Sequence, residues 1–174
     1  IASLPEQRQG ISKCVAGMGW RTDKLHFSVL HPSEGLPYLG NDSSCVISVR
    51  GRKLNLLLSG DISKTVEQRL VVGGLEPHEL LTVPHHGSST SSSHAIIAAV
   101  QPAWAVISSG MGNRFKFPRD DVLKRYSEAG VPTLSTSQCG GIRFTATQNG
   151  GFVIESARVV RDRLWRWPGA ENCP

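Results

Sequence analysis

The sequence lacks several features that would place it in familiar classes of protein. It has no apolar run that approaches the roughly 20 residues of a membrane-spanning helix. Its first residues have neither the charged start nor the apolar stretch of a secretory signal, and they lack an initiator Met, so we expect a piece of a longer chain. None of the four cysteines forms a CxxC pair, which argues against a structural zinc knuckle.

The composition that is present is that of one basic globular domain. The chain has 174 residues, 39% of them hydrophobic, which is enough for a core. Its net charge of +5 favours anionic partners such as nucleic acid, although many soluble domains are as basic. We predict a domain over residues 1–157 and a basic tail over residues 158–174, which either binds phosphates and bases or is a frayed terminus. The tail contains Arg158, Arg161, Arg163, Trp165, Arg166 and Trp167.

Hydrophobic periodicity predicts strands that alternate with helices. The predicted helices are 63–72, with Ser63 as its N-cap, 91–100 and 119–129. The predicted strands are 24–30, 44–50, 53–59, 79–84, 104–109, 132–137, 140–147 and 151–156. Alternating buried strands and helices indicate a layered α/β domain.

The first chemically unusual strand end is Ser59-Gly60-Asp61. Binding groups in α/β sheets cluster at the carboxyl ends of strands, and a carboxylate there suits a divalent ion. The alternative is that Asp61 only caps the helix that follows.

The second unusual strand end carries His85 and His86, followed by Gly87. Histidine is the commonest metal ligand and the commonest acid or base near neutral pH. Adjacent side chains in a strand point to opposite faces, so both histidines serve one site only if the chain turns there, which Gly87 permits. The alternative is one solvent-facing histidine beside one core histidine, but the pairing with Asp61 across neighbouring strands favours a functional site.

A serine run, residues 88–93, lies at the start of the predicted helix 91–100. Its hydroxyls, with Ser88 and Ser89 first, and the free backbone N–H groups of the helix start could hold a phosphate. The alternative is ordinary helix capping, which needs only one serine. Within this helix, His94 is expected to be a surface residue.

The third strand end is a Gly-rich loop, residues 110–118, that contains Asn113, Arg114 and Lys116. A loose backbone with positive charge suits a position beside an anionic substrate. We therefore predict Asn113 and Arg114 as substrate-binding residues.

The ordered segments CVAGMGW, LHFSVLHP, NDSSCVISV, LLLSGD, LLTVPHHGSSTSSS and AWAVISSGMGNRFKFP resemble the C-terminal part of the metallo-β-lactamase-like domain of the ComEC family of bacterial competence channels. The resemblance covers roughly residues 14–144. It implies an α/β fold, the αββα sandwich of that superfamily, with a two-metal hydrolase site. The superfamily's HxHxDH motif, which lies earlier in the chain, is not found here, and His26 and His31 do not form it. We therefore expect only the C-terminal portion of the sandwich, with apolar sheet surface left uncovered and available for self-association.

The resemblance also implies roles for single residues. Asp61 corresponds to the metal-bridging carboxylate, and His85 and His86 to the family's HHGS pair, as metal ligands or catalytic groups. Asn41 and Asp42 correspond to a polar pair near the site entrance that would contact substrate. Many relatives have His-Pro where this chain has Phe117-Pro118, a departure that removes a possible ligand.

The function implied by the resemblance is metal-dependent phosphodiester hydrolysis by the full-length domain, with two divalent ions, Zn²⁺ or Mn²⁺, degrading one DNA strand during uptake. The isolated chain is predicted to bind metal weakly, or not at all, and to be inactive. The alternatives are a non-catalytic DNA-guiding module and a hydrolase of the same fold with another substrate. The implied partners are single- or double-stranded DNA and the rest of a ComEC-like channel. The parent would be an inner-membrane protein with this domain in the periplasm, where a Cys14–Cys45 disulfide is possible.

Overall fold

The computed structural model describes residues 13–147, 151–160 and 173–174. Its main sheet has seven strands that lie side by side in chain order. The strands are β1 (Gly19–Arg21), β2 (Leu25–His31), β3 (Val46–Gly51), β4 (Asn55–Leu58), β5 (Leu80–Thr82), β6 (Trp104–Ile107) and β7 (Thr133–Ser135). Strands β1 to β4 pair antiparallel, and β4 to β7 pair parallel.

Three helices connect the parallel strands, and all three pack on one face of the sheet. They are α1 (Lys64–Val72), α2 (His94–Val100) and α3 (Asp120–Glu128). Crossovers between adjacent parallel strands are right-handed, so strands that follow one another in order place their helices on the same side. The core between helices and sheet contains Val46, Leu57, Ile62, Val66, Leu81, Val83, Ile96, Ile97, Val100, Ala105, Ile107, Val122, Tyr126 and Val131.

The opposite face of the sheet carries a continuous apolar row. Strand register aligns the members of this row in the order Trp20, Phe27, Val49, Leu56, Leu80 and Trp104. A separate antiparallel hairpin, β8 (Ile142–Ala146) and β9 (Phe152–Ser156), meets the row at one end, where Phe144 packs edge-on against Trp104. The structure thus has helices on one face and a hairpin at one end of the other.

Most predicted elements are confirmed, with shifted ends. Ser63 caps α1 by accepting from the N–H of Thr65. The predicted helix 91–100 begins only at His94, which is exposed as expected, because the backbone of Ser92 has a left-handed φ of 56° and cannot continue a right-handed helix. The predicted strand 132–137 stops at Ser135, whose hydroxyl caps the short helix α4 (Thr136–Cys139).

The mixed α/β class is confirmed and is compatible with an α/β sandwich, whereas the metallo-β-lactamase type and the domain division stay predictions. Strand β1 was not predicted from the sequence. The short helix α5 (Ala157–Val160) spans the predicted boundary between the domain and the basic tail, and residues 161–172 of the tail lie outside the described residues. In the described ranges, no helix has both the length and the apolar character to cross a membrane.

All four cysteines are paired in the structure. One disulfide joins Cys14 to Cys45 and the other joins Cys139 to Cys173. The first is the pair named from the sequence, and the second was not anticipated, since the spacing of cysteines does not determine their connectivity.

A cavity of about 330 Å³ lies beside β2, β3 and the end of α1. Ser48 and His78 lie on its wall and are almost fully buried. The Oγ of Ser48 donates to Nε2 of His78 at 2.7 Å, because Nδ1 carries its hydrogen toward the carbonyl of Glu76, also at 2.7 Å. Burial lowers the pKa of His78 below its usual value of 6.5, so His78 stays neutral in the folded protein at neutral pH.

Candidate functional site

The three unusual strand ends meet at one edge of the sheet. Because β4, β5 and β6 are parallel, their carboxyl ends lie together. Asp61 follows β4, the two histidines follow β5, and the Gly-rich loop follows β6. A short 3-10 turn, Gly40–Ser43, adds Asn41 from the antiparallel half of the sheet.

Asp61 is positioned by the close approach of the backbone at Gly60 to Ser44. Gly60 has φ of 59°, and a Cβ there would lie 2.7 Å from Cβ of Ser44, so only glycine fits. The Ser44 hydroxyl accepts from the N–H of Asp61 at 3.1 Å. The carbonyl of Gly60 accepts from the N–H of His85 at 3.0 Å, which ties the end of β4 to the histidine turn.

The two histidines occupy a 3-10 turn, Pro84–Gly87, in which both have left-handed backbone conformations. The φ angles are 51° for His85 and 56° for His86. Such conformations cost on the order of 1–3 kcal/mol each for non-glycine residues and cluster at functional sites. The strand therefore ends before the histidines, and the condition under which both imidazoles serve one site is met.

His86 and Asp61 face each other at this edge. Nδ1 of His86 lies 2.7 Å from the carbonyl oxygen of Ser108, and since a carbonyl only accepts, Nδ1 carries a hydrogen. The other ring nitrogen, Nε2, faces Oδ1 of Asp61 at 3.4 Å. A proton or a metal ion between these two atoms would satisfy both of them.

His85 is held differently, with both ring nitrogens engaged by neighbours. Its Nε2 accepts from Nδ2 of Asn41 at 2.9 Å, and its Nδ1 faces Oγ1 of Thr90 at 3.4 Å. The ring of Phe117 contacts His85 edge-on, with centroids 5.8 Å apart. Asn41 thus contacts His85, and its predicted contact with substrate stays untested.

Asp42 is next to Asn41 in the chain, and its carboxylate binds the start of α1. Its two carboxylate oxygens accept from the N–H and the hydroxyl of Ser63, at 2.8 and 2.9 Å. The backbone carbonyl of Asp42 accepts from Nε2 of the buried His31 at 2.7 Å. These contacts give Asp42 a structural role at the start of α1, and its predicted contact with substrate stays untested.

The backbone N–H groups at the start of α2 do hold an anion, but that anion belongs to the protein. The carboxylate of Glu67, which is fully buried in α1, accepts from the N–H of Ser92 at 2.5 Å and of Ser93 at 2.8 Å. Arg125 donates to the carbonyls of Ser91 and Ser92. The prediction of free N–H groups for a phosphate is therefore wrong at Ser92 and Ser93, since an internal carboxylate already occupies them.

The two serines singled out for phosphate binding also have protein partners. Ser88 is buried and pairs with the hydroxyl of Thr90 at 3.0 Å. Ser89 donates to the carboxylate of Asp121 at 2.7 Å, and this hydrogen bond, with the contact of Arg125, holds the pKa of Asp121 below its usual range. Phosphate binding by Ser88 and Ser89 stays a prediction.

Asn113 and Arg114 lie in the loop after β6, beside the histidines. The side chain of Asn113 donates to the carbonyls of Gly110 and Phe117 and accepts from the N–H of Phe117 at 2.9 Å. Asn113 therefore shapes the loop, and any role in binding substrate is untested. The guanidinium of Arg114 lies 4.7 Å from the ring centre of Phe115.

Sequence reasoning missed several supporting groups at this edge. These are the carbonyl of Ser108, the hydroxyls of Ser44 and Thr90 and the carboxylate of Glu67. The first three lie in segments that carry the family resemblance, but nothing in those segments singles them out, and Glu67 lies in none of them. Within residues 13–147, 151–160 and 173–174, no group of three or more His, Cys, Asp or Glu side chains is placed to hold a metal ion.

Comparison with known proteins finds several that are similar to this chain. The chain is 36% identical to competence protein ComA of Neisseria gonorrhoeae over 92% of its own length and 23% of that protein. It is 36% identical to recombination protein 2 of Haemophilus influenzae, over 84% of the chain and 18% of that protein. It is 33% identical to ComE operon protein 3 of Bacillus subtilis, over 83% of the chain and 19% of that protein. The chain thus spans about a fifth of the length of these relatives, and no protein-family model matches it.

Proposed function

We propose that the chain is the C-terminal part of a protein of the competence ComEC family and belongs to the extracytoplasmic domain of this DNA-internalisation protein. The identity of 33–36% to competence protein ComA, recombination protein 2 and ComE operon protein 3 supports this. The proposal includes a metallo-β-lactamase-type sandwich and metal-dependent nuclease activity of the full-length domain on one DNA strand. It also includes attachment to the rest of a ComEC-like channel in the inner membrane. The observation that carries the enzymatic part is the pairing of Asp61 with His86 at the carboxyl edge of the parallel strands.

The pair fits one divalent ion. Ligand bonds of about 2.1 Å at a tetrahedral angle place two donor atoms about 3.4 Å apart, and 3.4 Å separates Oδ1 of Asp61 from Nε2 of His86. The contact of Nδ1 with Ser108 fixes the tautomer that leaves Nε2 free to bind, as outer contacts of metal-binding histidines usually do. His85 is the weaker ligand candidate, because its Nε2 is already engaged by Asn41.

When bound, a divalent ion would supply an activated water and charge stabilisation for phosphodiester hydrolysis. The contribution of the chain itself is orientation. Asn41 and Thr90 hold the ring of His85, and Phe117 limits its rotation. Because both ring nitrogens of His85 are engaged, a hydrogen bond from His85 to a phosphate would have to replace the contact with Asn41 or with Thr90.

The described residues do not fit the second ion of a two-metal site. Asp61 and His86 give two donors, and no third His, Cys, Asp or Glu joins them in the part of the chain that the structure describes. Two donors leave most of a metal's coordination to other groups, so we propose weak metal binding and no nuclease activity for the isolated chain.

Calorimetric titration with Zn²⁺ and with Mn²⁺ tests the assignment of ligands. We expect Asp61→Ala and His86→Ala to abolish binding, and His85→Ala to retain it. Asp23→Ala, an exposed carboxylate in the turn before β2, is the matched control and should bind as the unmodified chain does. Binding that survives His86→Ala but not His85→Ala would reverse the assignment.

A fluorogenic single-stranded DNA assay with added Mn²⁺ tests the proposal that the chain alone has too few metal ligands for cleavage. We expect no cleavage by the chain alone. Robust cleavage that Asp61→Ala abolishes would contradict the proposal that the ligand set is partial, while supporting the nuclease itself.

The two disulfides support an extracytoplasmic location, because disulfides persist in oxidising compartments such as the bacterial periplasm and are rare in the cytosol. Intact-mass measurement after alkylation, with and without reductant, tests this for protein isolated from cells. Four free thiols in the unreduced protein would contradict the proposed compartment.

A second candidate function is a DNA-guiding module without catalysis. Phe117 favours it, because this aromatic side chain contacts His85 at the position where the family resemblance implies a histidine in many members. The titration above discriminates between the two, since a guiding module would bind DNA without binding metal at Asp61.

A further inference from the structure

The cavity beside β2, β3 and the end of α1 contains a hydroxyl and an imidazole that the proposed metal site does not use. The Oγ of Ser48 donates to Nε2 of His78 at 2.7 Å, and Nδ1 of His78 donates to the carbonyl of Glu76, also at 2.7 Å. A serine hydroxyl becomes a good nucleophile when an adjacent base takes its proton and a third group orients that base. Nucleophile, base and orienting group are therefore all present in this cavity.

The imidazole of His78 is in the form that a base requires. The carbonyl of Glu76 only accepts, so it fixes the hydrogen on Nδ1 and directs the lone pair of Nε2 toward Ser48. Because burial lowers the pKa of His78, the ring is neutral at neutral pH and can take up a proton. The pair is separate from the metal site, since His78 precedes β5 whereas His85 and His86 follow it.

The cavity has room for a small organic molecule. Its volume of about 330 Å³ lies at the lower end of the range for small-molecule sites, roughly 300–1,000 Å³. Leu30, Leu70 and Leu75 give it apolar walls, as such sites usually have. Ser33 and Gly73 also line it and are exposed, so the cavity opens to solvent on their side.

The charged residues of the lining favour an anionic group on the bound molecule. Arg50, Arg69 and Glu76 line the cavity, which gives one positive charge in excess while His78 is neutral. The ion pair of Arg50 with Glu76 uses Nη2, at 2.6 Å from Oε2, and Arg69 is exposed at the end of α1. A guanidinium can bind a carboxylate through two parallel N–H groups, so a carboxylate is the group that Arg69 fits best.

We propose that Ser48 and His78 form a second hydrolytic site, which cleaves small carboxylic esters that carry a carboxylate. The Oγ of Ser48 attacks the ester carbonyl carbon, and its proton passes to Nε2 of His78. The bond from that carbon to the alcohol oxygen breaks, and the alcohol leaves with the proton. A water molecule, deprotonated by the same nitrogen, then attacks the acyl group, which releases the acid and returns the proton to Ser48. This inference does not rest on the proposed function at Asp61 and His86.

A fluorophosphonate probe tests the nucleophile, because an activated serine displaces its fluoride and keeps the phosphonyl group. The 174-residue chain is treated with the probe in the presence of a chelator, and peptide mass spectrometry locates the label. We expect a single label, on Ser48. His78→Gln should slow labelling by about a hundredfold or more, the range in which a general base contributes.

Ser28→Ala is the matched control for labelling. Ser28 lines the same cavity and lies directly opposite Ser48 on the neighbouring strand β2. A general loss of packing in the cavity would affect labelling in this variant too. We expect Ser28→Ala to be labelled at the rate of the unmodified chain.

Hydrolysis of p-nitrophenyl acetate and of mono-p-nitrophenyl succinate tests the class of substrate. We expect the succinate ester, which carries a carboxylate, to have the higher kcat/KM, and Ser48→Ala to abolish hydrolysis of both. Arg69→Gln should lower kcat/KM for the succinate ester by up to about fivefold, the effect of one exposed charge pair, and more than for the acetate ester. Lys64→Gln, at an exposed cation at the other end of α1, should change neither.

No label, or label only on other serines, would overturn the inference and leave the Ser48–His78 contact as a structural hydrogen bond. The same holds if His78→Gln does not slow labelling, or if ester hydrolysis survives in Ser48→Ala. Labelling of the unmodified chain decides the matter even if Ser48→Ala does not fold. Equal effects of Arg69→Gln on the two esters would contradict the preference for a carboxylate.

Discussion

Replacing Glu67 with alanine is expected to lower the free energy of unfolding by about 3–6 kcal/mol. The carboxylate is fully buried and accepts two backbone hydrogen bonds, from Ser92 and Ser93. A hydrogen bond to a charged group contributes about 1.5–3 kcal/mol. Alanine removes both bonds and leaves two N–H groups without an acceptor in the interior, which is why the loss should lie well above that of an average substitution.

Urea unfolding followed by tryptophan fluorescence measures this difference. Glu67→Gln keeps one acceptor oxygen, so we expect roughly half the effect of alanine, and this variant remains informative if Glu67→Ala does not fold. Glu128→Ala is the matched control, because Glu128 is a half-exposed helix residue whose ion pair with Lys124 spans 3.7 Å. A surface pair of this kind contributes about 0.5 kcal/mol or less. A Glu67→Ala variant as stable as Glu128→Ala would refute the assignment of the carboxylate as the anion at the start of α2.

Three further predictions concern stability. The folded pKa of His78 is lowered by burial, so the unfolded chain binds the proton first, and stability should fall as pH drops below about 6.5 until the folded pKa is reached; His78→Gln should flatten this part of the urea-stability profile, and an unchanged slope would contradict it. Gly87→Ala should destabilise more than Gly74→Ala in thermal unfolding, because both have positive φ but only Gly87 has no room for a Cβ; equal losses would show that strain alone matters. Serine at both Cys139 and Cys173 opens a loop closed across 34 residues and should cost about 3–4 kcal/mol in urea unfolding; an unchanged midpoint would mean that the bridge does not constrain the unfolded chain.

The edge at which the site lies could be predicted from the sequence, because parallel strands bring their carboxyl ends together whatever their register. That rule placed Asp61 beside His85 and His86. The left-handed conformations of the two histidines could not be predicted, since positive φ is uncommon even for histidine and the glycine in the same turn adopts it more readily. They result from contacts made across the fold, such as the hydrogen bond from His85 N–H to Gly60.

The serine run illustrates a different limit. Its composition correctly indicated a place where backbone N–H groups collect, but not which anion they hold. Glu67 is a polar residue on a helix and looks like a solvent-facing position until α1 is packed against α2. Partners that are distant in sequence decide such questions, and local patterns carry no information about them.

The two disulfides also determine how the chain would respond to tension. One closes across 31 residues near the start of the described chain and the other across 34 residues near its end. A fully extended residue spans at most about 3.6 Å. Each disulfide therefore prevents on the order of 100 Å of chain from extending when the two ends are pulled apart. Oxidised protein would therefore lengthen in a force experiment mainly through the region between the bridges, which contains the strand ends of Asp61 and the histidine pair.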